Sequence, residues 1–483
     1  MRYLISILLI VYGLSLKAQP FALDSTFSPF FDITVNHVPN ANITHIIELN
    51  GDQVMLTGDF DVGSFSDVLL INSRGIRINS FAPGPRDGGY LFWYNDSIIG
   101  VVGTGNLNFI DTNGNVELLQ YRDAFRKTVR CPSFFTPYVF SNGSLLVSNS
   151  FGTSPNSCRI IVPPDTFPHR YMIKVDSIGT WDSSFAGIAN EVVQEFIKYD
   201  SNRILLSGFH NRFTHFNSQR VNGLCRIYQD GQLDSSFSSP FQDNSIGYVS
   251  AVYLEQDGKI VLGGEMNIVG YPNALRLVRL NSNGSLDTGF YFNSQLTNPE
   301  FPTGVISSII GASDGGYIIS GSFDSIQGVS KNHLAKLDSN GIIEPQFFTT
   351  IGPDSSTSPF FDTPGVRVTR SNSGDLYVYG DFRYWDGQPS QPIVRLTDFS
   401  VGIKKFEQSK KTIRVYPNPS KDGVIMFSNS DNILETRVYD ISGKLQLLYS
   451  SVSTIQLPEA KGLYLLQITF RDGSVETHKV IRQ

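Results

Sequence analysis

The sequence predicts an all-β protein: a seven-bladed β-propeller closed by an N-terminal strand, followed by a small C-terminal β-sandwich of immunoglobulin-like type. Three observations carry this expectation. A Leu-Asp-x-x-Phe motif recurs at intervals of about fifty residues, a period that marks propellers and solenoids. Each copy is built from short apolar runs separated by tight-turn residues. No stretch keeps a helical period, which rejects a helical array.

The motif is clear at Leu23-Asp24-Ser25-Thr26-Phe27, Trp181-Asp182-Ser183-Ser184-Phe185, Leu233-Asp234-Ser235-Ser236-Phe237 and Leu286-Asp287-Thr288-Gly289-Phe290. Weaker copies end at Phe81 and Phe347, and a double interval before Phe185 leaves room for a degenerate copy near 115–130. Residues 249–290 show the internal grammar. Val249 to Leu254 is a strand, Asp257-Gly258 a hairpin turn, Ile260 to Gly263 the return strand, Leu277 to Leu280 a third strand and Leu286 to Phe290 a fourth. Four short strands per unit make a propeller blade.

First strands are expected to begin near 43, 88, 137, 192, 249, 303 and 364, giving seven blades. The last unit has three strands ending at Ile393-Val394-Arg395-Leu396 and lacks the fourth. The missing Leu-Asp-x-x-Phe strand stands at residues 22–27, where it can complete the last blade and close the ring. The recurrent Asp24, Asp182, Asp234 and Asp287 run beside a basic column of Lys174, Arg226, Arg279, Lys336 and Arg395. Repetition points to structure, so each basic residue is expected to face its own blade's acid across the third and fourth strands.

The grammar resembles the Delta-60 repeat family of bacterial surface and secreted propellers over residues 20–400. The segments carrying this are Asn281-Ser282-Asn283-Gly284-Ser285-Leu286-Asp287-Thr288-Gly289-Phe290 and Asp257-Gly258-Lys259-Ile260-Val261-Leu262-Gly263-Gly264. That family has no established catalytic residues, so none is carried over.

The chain starts with Arg2, an apolar run from Leu4 to Leu16, then Lys17, Ala18 and Gln19, the pattern of a signal peptide over residues 1–18 cut between Ala18 and Gln19. The propeller spans 19–400, a polar linker 401–412 and the C-terminal domain 413–483. In that domain Val415-Tyr416-Pro417-Asn418-Pro419 opens a series of short strands, with turns at Ser442-Gly443-Lys444 and Asp472-Gly473-Ser474. Tyr416, Pro417, Asn418 and Pro419, then Gly443, then Gly462 and Tyr464, then Lys479 in His478-Lys479-Val480-Ile481, stand in an order that resembles the type A sorting domain of the Bacteroidetes type IX (Por) secretion system. The resemblance implies the Sec translocon and the type IX machinery as partners. It also implies removal of the domain, with release or attachment at the outer cell surface.

The net charge is −6, and charged residues are 17 % of the chain. That balance argues against nucleic acid, which needs clustered cations. No later run is long and apolar enough for a transmembrane helix. Cys131 and Cys158 are disulfide candidates in an oxidising compartment, and Cys225 reads as a small buried hydrophobe. The seven histidines form no ligand cluster, so no metal or other cofactor is expected. Gly311-Ala312-Ser313-Asp314-Gly315 matches a nucleophile elbow only by accident, because it aligns with the Asp257-Gly258 hairpin.

Second-to-third loops and blade-to-blade links fall on one face of the ring. Phe213, Tyr271, Tyr384 and Trp385 lie in these loops and are the candidates for contact with an extracellular glycan or protein. Phe60, Phe209, Phe323 and Phe382, which follow the repeated glycine, are expected to pack between blades. The function read from all this is a secreted or surface-exposed, non-catalytic binding module. The alternatives are a glycan-active enzyme and a structural surface-layer component.

Overall fold

A computed structural model describes residues 21–29, 42–49, 53–59, 68–78, 89–103, 106–117, 129–130, 137–148, 159–160, 171–209, 211–242, 247–291, 296–297, 304–349, 352–353, 365–398, 413, 415–428, 433–440, 444–450, 453–470 and 475–483. The expected signal peptide with Ala18 and Gln19, both Cys131 and Cys158, Phe60 and Gly443 lie outside the described residues. The chain divides into two compact units, Met1–Ser400 and Val401–Gln483. All regular elements among the described residues are strands.

In the first unit one antiparallel pattern recurs in seven sheets. Their first strands are Asn42–Leu49, Tyr90–Trp93, Tyr138–Val139, Glu195–Lys198, Tyr248–Leu254, Val305–Gly311 and Arg367–Arg370. Each pairs with a second strand, and the second strand pairs with a third. The fourth strand is shorter than the sequence suggests. In the first, third, fourth, fifth and sixth sheets it is a single bridge, at Arg77, Trp181, Leu233, Leu286 and Ile343. The reason is local: in the third to sixth sheets the chain after that bridge turns through an Asp/Glu-x-x-Phe bend, as in Phe237 N–H donating to Asp234 O at 3.1 Å. In the second sheet the fourth strand is Val116–Glu117, at the expected degenerate copy. In the seventh it is Phe21–Leu23, paired antiparallel to Ile393–Asp398 with Leu23 opposite Leu396.

Neighbouring sheets are joined by a repeated latch. The residue after the motif Phe donates its N–H to the carbonyl before the next sheet's turn glycine. The pairs are Ala186 to Asp230 at 3.0 Å, Ser238 to Asn283 at 3.0 Å and Tyr291 to Asn340 at 2.7 Å. The same latch runs from Ser28, in the segment attached to the seventh sheet, to Arg74 of the first sheet at 3.0 Å. Gly284 shows why glycine holds this turn. Its φ is +88°, and a Cβ there would lie 2.3 Å from Ser238 O.

The cores sit between sheets. Ile43, Leu56 and Ile71 of the first sheet share one buried cluster with Phe27, Tyr377, Tyr379 and Ile393 of the seventh. Leu205 and Leu224 of the fourth sheet share another with Val249, Leu262 and Val278 of the fifth. Lys331 is buried with its ammonium donating to Pro345 O at 2.9 Å, Phe347 O at 2.5 Å and Phe348 O at 3.2 Å. It closes carbonyls that no strand partner reaches.

The second unit has two sheets, ordered 415–416, 424–427, 454–456 and 445–450, 433–440, 462–470, 475–482. Ile425, Phe427 and Ile455 of the first share a core with Ile433, Val438, Leu466, Ile468 and Val480 of the second. Alternation along Gly462–Phe470, with Tyr464, Leu466, Ile468 and Phe470 inward, is the period-two pattern of a strand with one buried face.

Candidate functional site

The acidic and basic columns meet as pairs. Arg226 Nε donates to Asp234 at 2.7 Å, Arg279 Nε to Asp287 at 2.8 Å, and Arg395 Nη2 to Asp24 at 2.6 Å; Lys174 lies 3.2 Å from Asp182. The sixth sheet substitutes Glu344, which pairs with Lys336. Each cation also lies over an aromatic ring; Arg226 is 5.1 Å from the Phe237 centroid and 4.4 Å from that of Tyr199. Two of the cations bridge sheets, since Arg226 Nη1 donates to Ser282 O at 2.6 Å and Arg279 Nη1 to Ser339 O at 2.8 Å. These columns therefore staple sheets together rather than line a ligand site.

Burial pushes the Asp234 carboxyl upward, but hydrogen bonds from Ser236 and Arg226 outweigh it and hold it down at about 2, against an ordinary value of 3.8. Asp24, Asp182 and Asp287 are lowered in the same way. A depressed acid stabilises the fold above its unfolded value and loses that contribution as pH falls through the folded one. Stability is therefore expected to drop between pH 4 and pH 2, with Asp234 alone contributing about 2 kcal/mol. Urea melts across that range check this; a midpoint that stays flat to pH 2 contradicts it.

The loop aromatics divide. Phe213 is fully buried, in the core between the third and fourth sheets, and Trp385 is 6 % exposed and packs on Phe382 at 6.0 Å. Neither offers a ring to a ligand, which corrects the expectation for these two. Their loops curl back as hairpins, His215–Phe216 with Gln219–Arg220 and Tyr384–Trp385 with Gln388–Pro389, and bridge to the preceding link at Ala189 and Pro353. Tyr384 points outward at 46 % exposure and Tyr271 is half-buried. Phe323 and Phe382 are buried as repetition suggests. Phe209 is not; it lies at the surface against Tyr248 and Arg212, because Phe213 fills the core place instead.

Cys225 is buried, and burial pushes its thiol up, so it carries no reactive thiolate. Ser313 sits in the hairpin turn between Val305–Gly311 and Tyr317–Ser322, with Asp314 paired to Lys336 at 2.6 Å. No group of three or more His, Cys, Asp or Glu among the described residues could hold a metal.

Sequence reasoning missed one set of residues. His45, Tyr90, Glu195 and Arg367 occupy the same register position in the first strands of four sheets, opposite Thr57, Val102, Ser207 and Tyr379. The fifth and sixth sheets carry Ala251 and Ser308 there. Only alignment by strand pairing exposes the column, because the first strands have no motif of their own.

In the C-terminal unit the sorting motif folds onto the last strand. Asn418 Nδ2 donates to Lys479 O at 2.7 Å and its Oδ1 accepts from Ile481 N–H at 3.0 Å. Tyr464 is buried, its hydroxyl donating to Ala460 O at 2.8 Å. Gly462 opens the strand that lies between, opposite Arg482. Tyr416 is exposed. Asn418→Ala removes two exposed hydrogen bonds to the last strand, whose backbone groups can then bond water, and is expected to cost about 0.5–1.5 kcal/mol. Urea unfolding of the full chain, followed at this unit's aromatic signals, measures it.

With this geometry in place, family comparisons are direct. Residues 212–237, 255–290 and 312–347 match the domain of unknown function DUF5122 beta-propeller, and residues 414–483 match the secretion system C-terminal sorting domain. The DUF5122 segments fall on the fourth to sixth sheets, where the acid–base pairs and latches are most regular. The sorting domain implies export through type IX secretion to the cell surface or the extracellular space.

No curated protein matches the chain. Among solved structures, PorZ, a surface component of the type-IX secretion system of Porphyromonas gingivalis, aligns at 12 % identity and TM-score 0.30, covering 91 % of this chain and 52 % of that one. The extracellular domain of a one component system from B. thetaiotaomicron aligns at 11 % identity and TM-score 0.45, covering 97 % and 59 %. The WD40 beta propeller domain of Doa1 aligns at 13 % identity and TM-score 0.31, covering 68 % and 99 %. The chain thus spans between 52 % and 59 % of the length of the first two. No helix among the described residues is long and apolar enough to cross a membrane.

Proposed function

We propose that the DUF5122 unit is a closed seven-bladed propeller that acts as a non-catalytic binding module outside the cell. An immunoglobulin-like C-terminal domain addresses it there through the type IX system. The match of residues 414–483 to a sorting domain carries the destination. Closure is supported by Phe21–Leu23 completing the seventh sheet and by the Ser28 latch reaching the first. A non-catalytic role is supported by the acid and base columns, which are consumed in pairs between sheets. Extracellular glycan or protein is the class of partner, and exposed Tyr384 and half-buried Tyr271 are the contact residues kept from the loop set.

Two experiments test this. In a host with the type IX system, the full chain is expected on the surface or in the medium, and a chain lacking 414–483 inside the cell; equal export of both overturns the destination. A pulldown from cell-surface extract with the propeller unit is expected to retain a glycan or protein, less well with Tyr384→Ala. Turnover of a glycan by the propeller overturns the non-catalytic reading.

A further inference from the structure

We propose that one mouth of the propeller axis binds a small carboxylate, held side-on by the Arg367 guanidinium with the His45 imidazole as its second contact. This names a ligand class for the binding module and rests on the closed-ring reading. The geometry comes from the first strands, which lie innermost when the seven sheets form a ring. Two neighbouring pairs of them bond directly, with Ser250 Oγ donating to Ile306 O at 2.6 Å and Val368 N–H to Ser308 Oγ at 2.8 Å, and the first sheet reaches the seventh where Ile43 N–H donates to Gly380 O at 3.4 Å. Thr57 Oγ1 donates to Gly89 O across the first and second sheets.

At one register position of this inner layer stand His45, Tyr90, Glu195 and Arg367, from the first, second, fourth and seventh sheets. The position lies near the start of each first strand, at the end of the sheets that also bears the second-to-third loops. Six of the seven sheets show the position, and only these four carry ionisable groups there.

Arg367 Nη1 donates to Ser307 O at 3.1 Å, which fixes the guanidinium, while Nε is buried with no hydrogen-bond partner among the described residues. His45 packs its ring against Tyr90 at 6.1 Å, and its Nδ1 is likewise buried and unpartnered. A buried guanidinium N–H and a buried imidazole nitrogen without partners cost stability unless something satisfies them. No carboxylate among the described residues forms an ion pair with Arg367.

The charges favour an anion. Burial, with the Arg367 charge adding to it, lowers His45 to about 4, so the imidazole is neutral at pH 7. Burial pushes the Glu195 carboxyl up, against the pull of Arg367. Both residues feel the Arg367 charge although they come from sheets one and four. A carboxylate matches the planar fork of Nε and Nη2. A single cation is too little for a phosphate dianion, which gathers several. The shared chemistry has two sources, an acidic sugar and the free end of a peptide.

The test is calorimetric titration of the full chain at pH 7 with glucuronate, N-acetylglycine and, as neutral control, glucose. Saturable binding of a carboxylate but not glucose is expected. It should weaken about tenfold or more in Arg367→Met and in Arg367→Lys, and stay unchanged in Arg212→Met. Glucuronate alone binding identifies an acidic sugar, and N-acetylglycine alone a peptide end. No binding of either at millimolar concentration overturns the proposal, as does binding undiminished in Arg367→Met. Should that variant fail to fold, the His45 imidazole NMR signal of the native chain decides: movement with carboxylate supports the site and none overturns it. A null titration on a chain with an intact cooperative melt sinks the site alone. Loss of ring closure is read separately, from the melt of the chain lacking residues 21–27.

Discussion

Deletion of residues 21–27 is expected to abolish the cooperative melt of the propeller unit. The segment is the outer strand of the seventh sheet, and its removal leaves Ile393–Asp398 as an unpaired edge. It takes away Asp24, the partner of Arg395 at 2.6 Å, and the buried rings of Phe21 and Phe27. It also removes the Ser28 approach to Arg74 that ties the seventh sheet to the first. The single change Phe27→Ala isolates the packing share. Phe27 is buried in a core with Ile43, Leu56 and Tyr377, so truncation is expected to cost about 3–5 kcal/mol in urea unfolding. A deletion that melts like the intact chain would show that the first strand is an ornament and that the fold does not depend on it.

Arg226→Met is expected to cost about 3 kcal/mol, because it leaves the buried Asp234 carboxylate with only the longer contact to Arg203 Nη1 at 3.3 Å. Both side chains are almost wholly buried, at 3 % and 1 % exposure. The guanidinium also donates to Ser282 O and Ser236 Oγ and lies between the rings of Tyr199 and Phe237. The double variant Arg226→Met, Asp234→Asn is expected to recover part of the loss, since the asparagine keeps an oxygen for Ser236 N–H and carries no charge. A loss below about 1 kcal/mol would place the pair with exposed ion pairs, which contribute little. The other pairs should follow in order of burial, with Lys174–Asp182 smaller because both side chains are more exposed.

These two results bear on function through rigidity. The carboxylate site proposed above draws on four different first strands and would hold its geometry only if neighbouring sheets cannot slide. The Arg226 and Arg279 staples and the glycine-turn latches tie neighbouring sheets together. Loosening them is expected to weaken the proposed carboxylate binding without touching Arg367.

Much of the architecture was legible in local chemistry. Hairpins announce themselves through Asp257-Gly258 and Asn283-Gly284, because a positive φ demands glycine whatever surrounds it. The acid–base pairs were legible too, because two columns repeating in step at adjacent strands must face each other. The displaced strand at 22–27 was found by what the last unit lacked. In the C-terminal unit, motif order located the domain, but not that Asn418 clasps the last strand.

What the tertiary structure alone decided is where side chains end up when no repeat constrains them. Phe213 and Trp385 look like loop aromatics on paper, yet hairpins fold them into cores, and Phe209 is displaced outward because Phe213 has taken its place. The fourth strands shrink to bridges because the Asp-x-x-Phe bend interrupts pairing. His45, Glu195 and Arg367 lie far apart in the chain and share no motif. Periodicity governs contacts within a blade and between neighbours, and it is read in one dimension. The convergence proposed for these residues would depend on closing every sheet onto the next, and no window of sequence contains that.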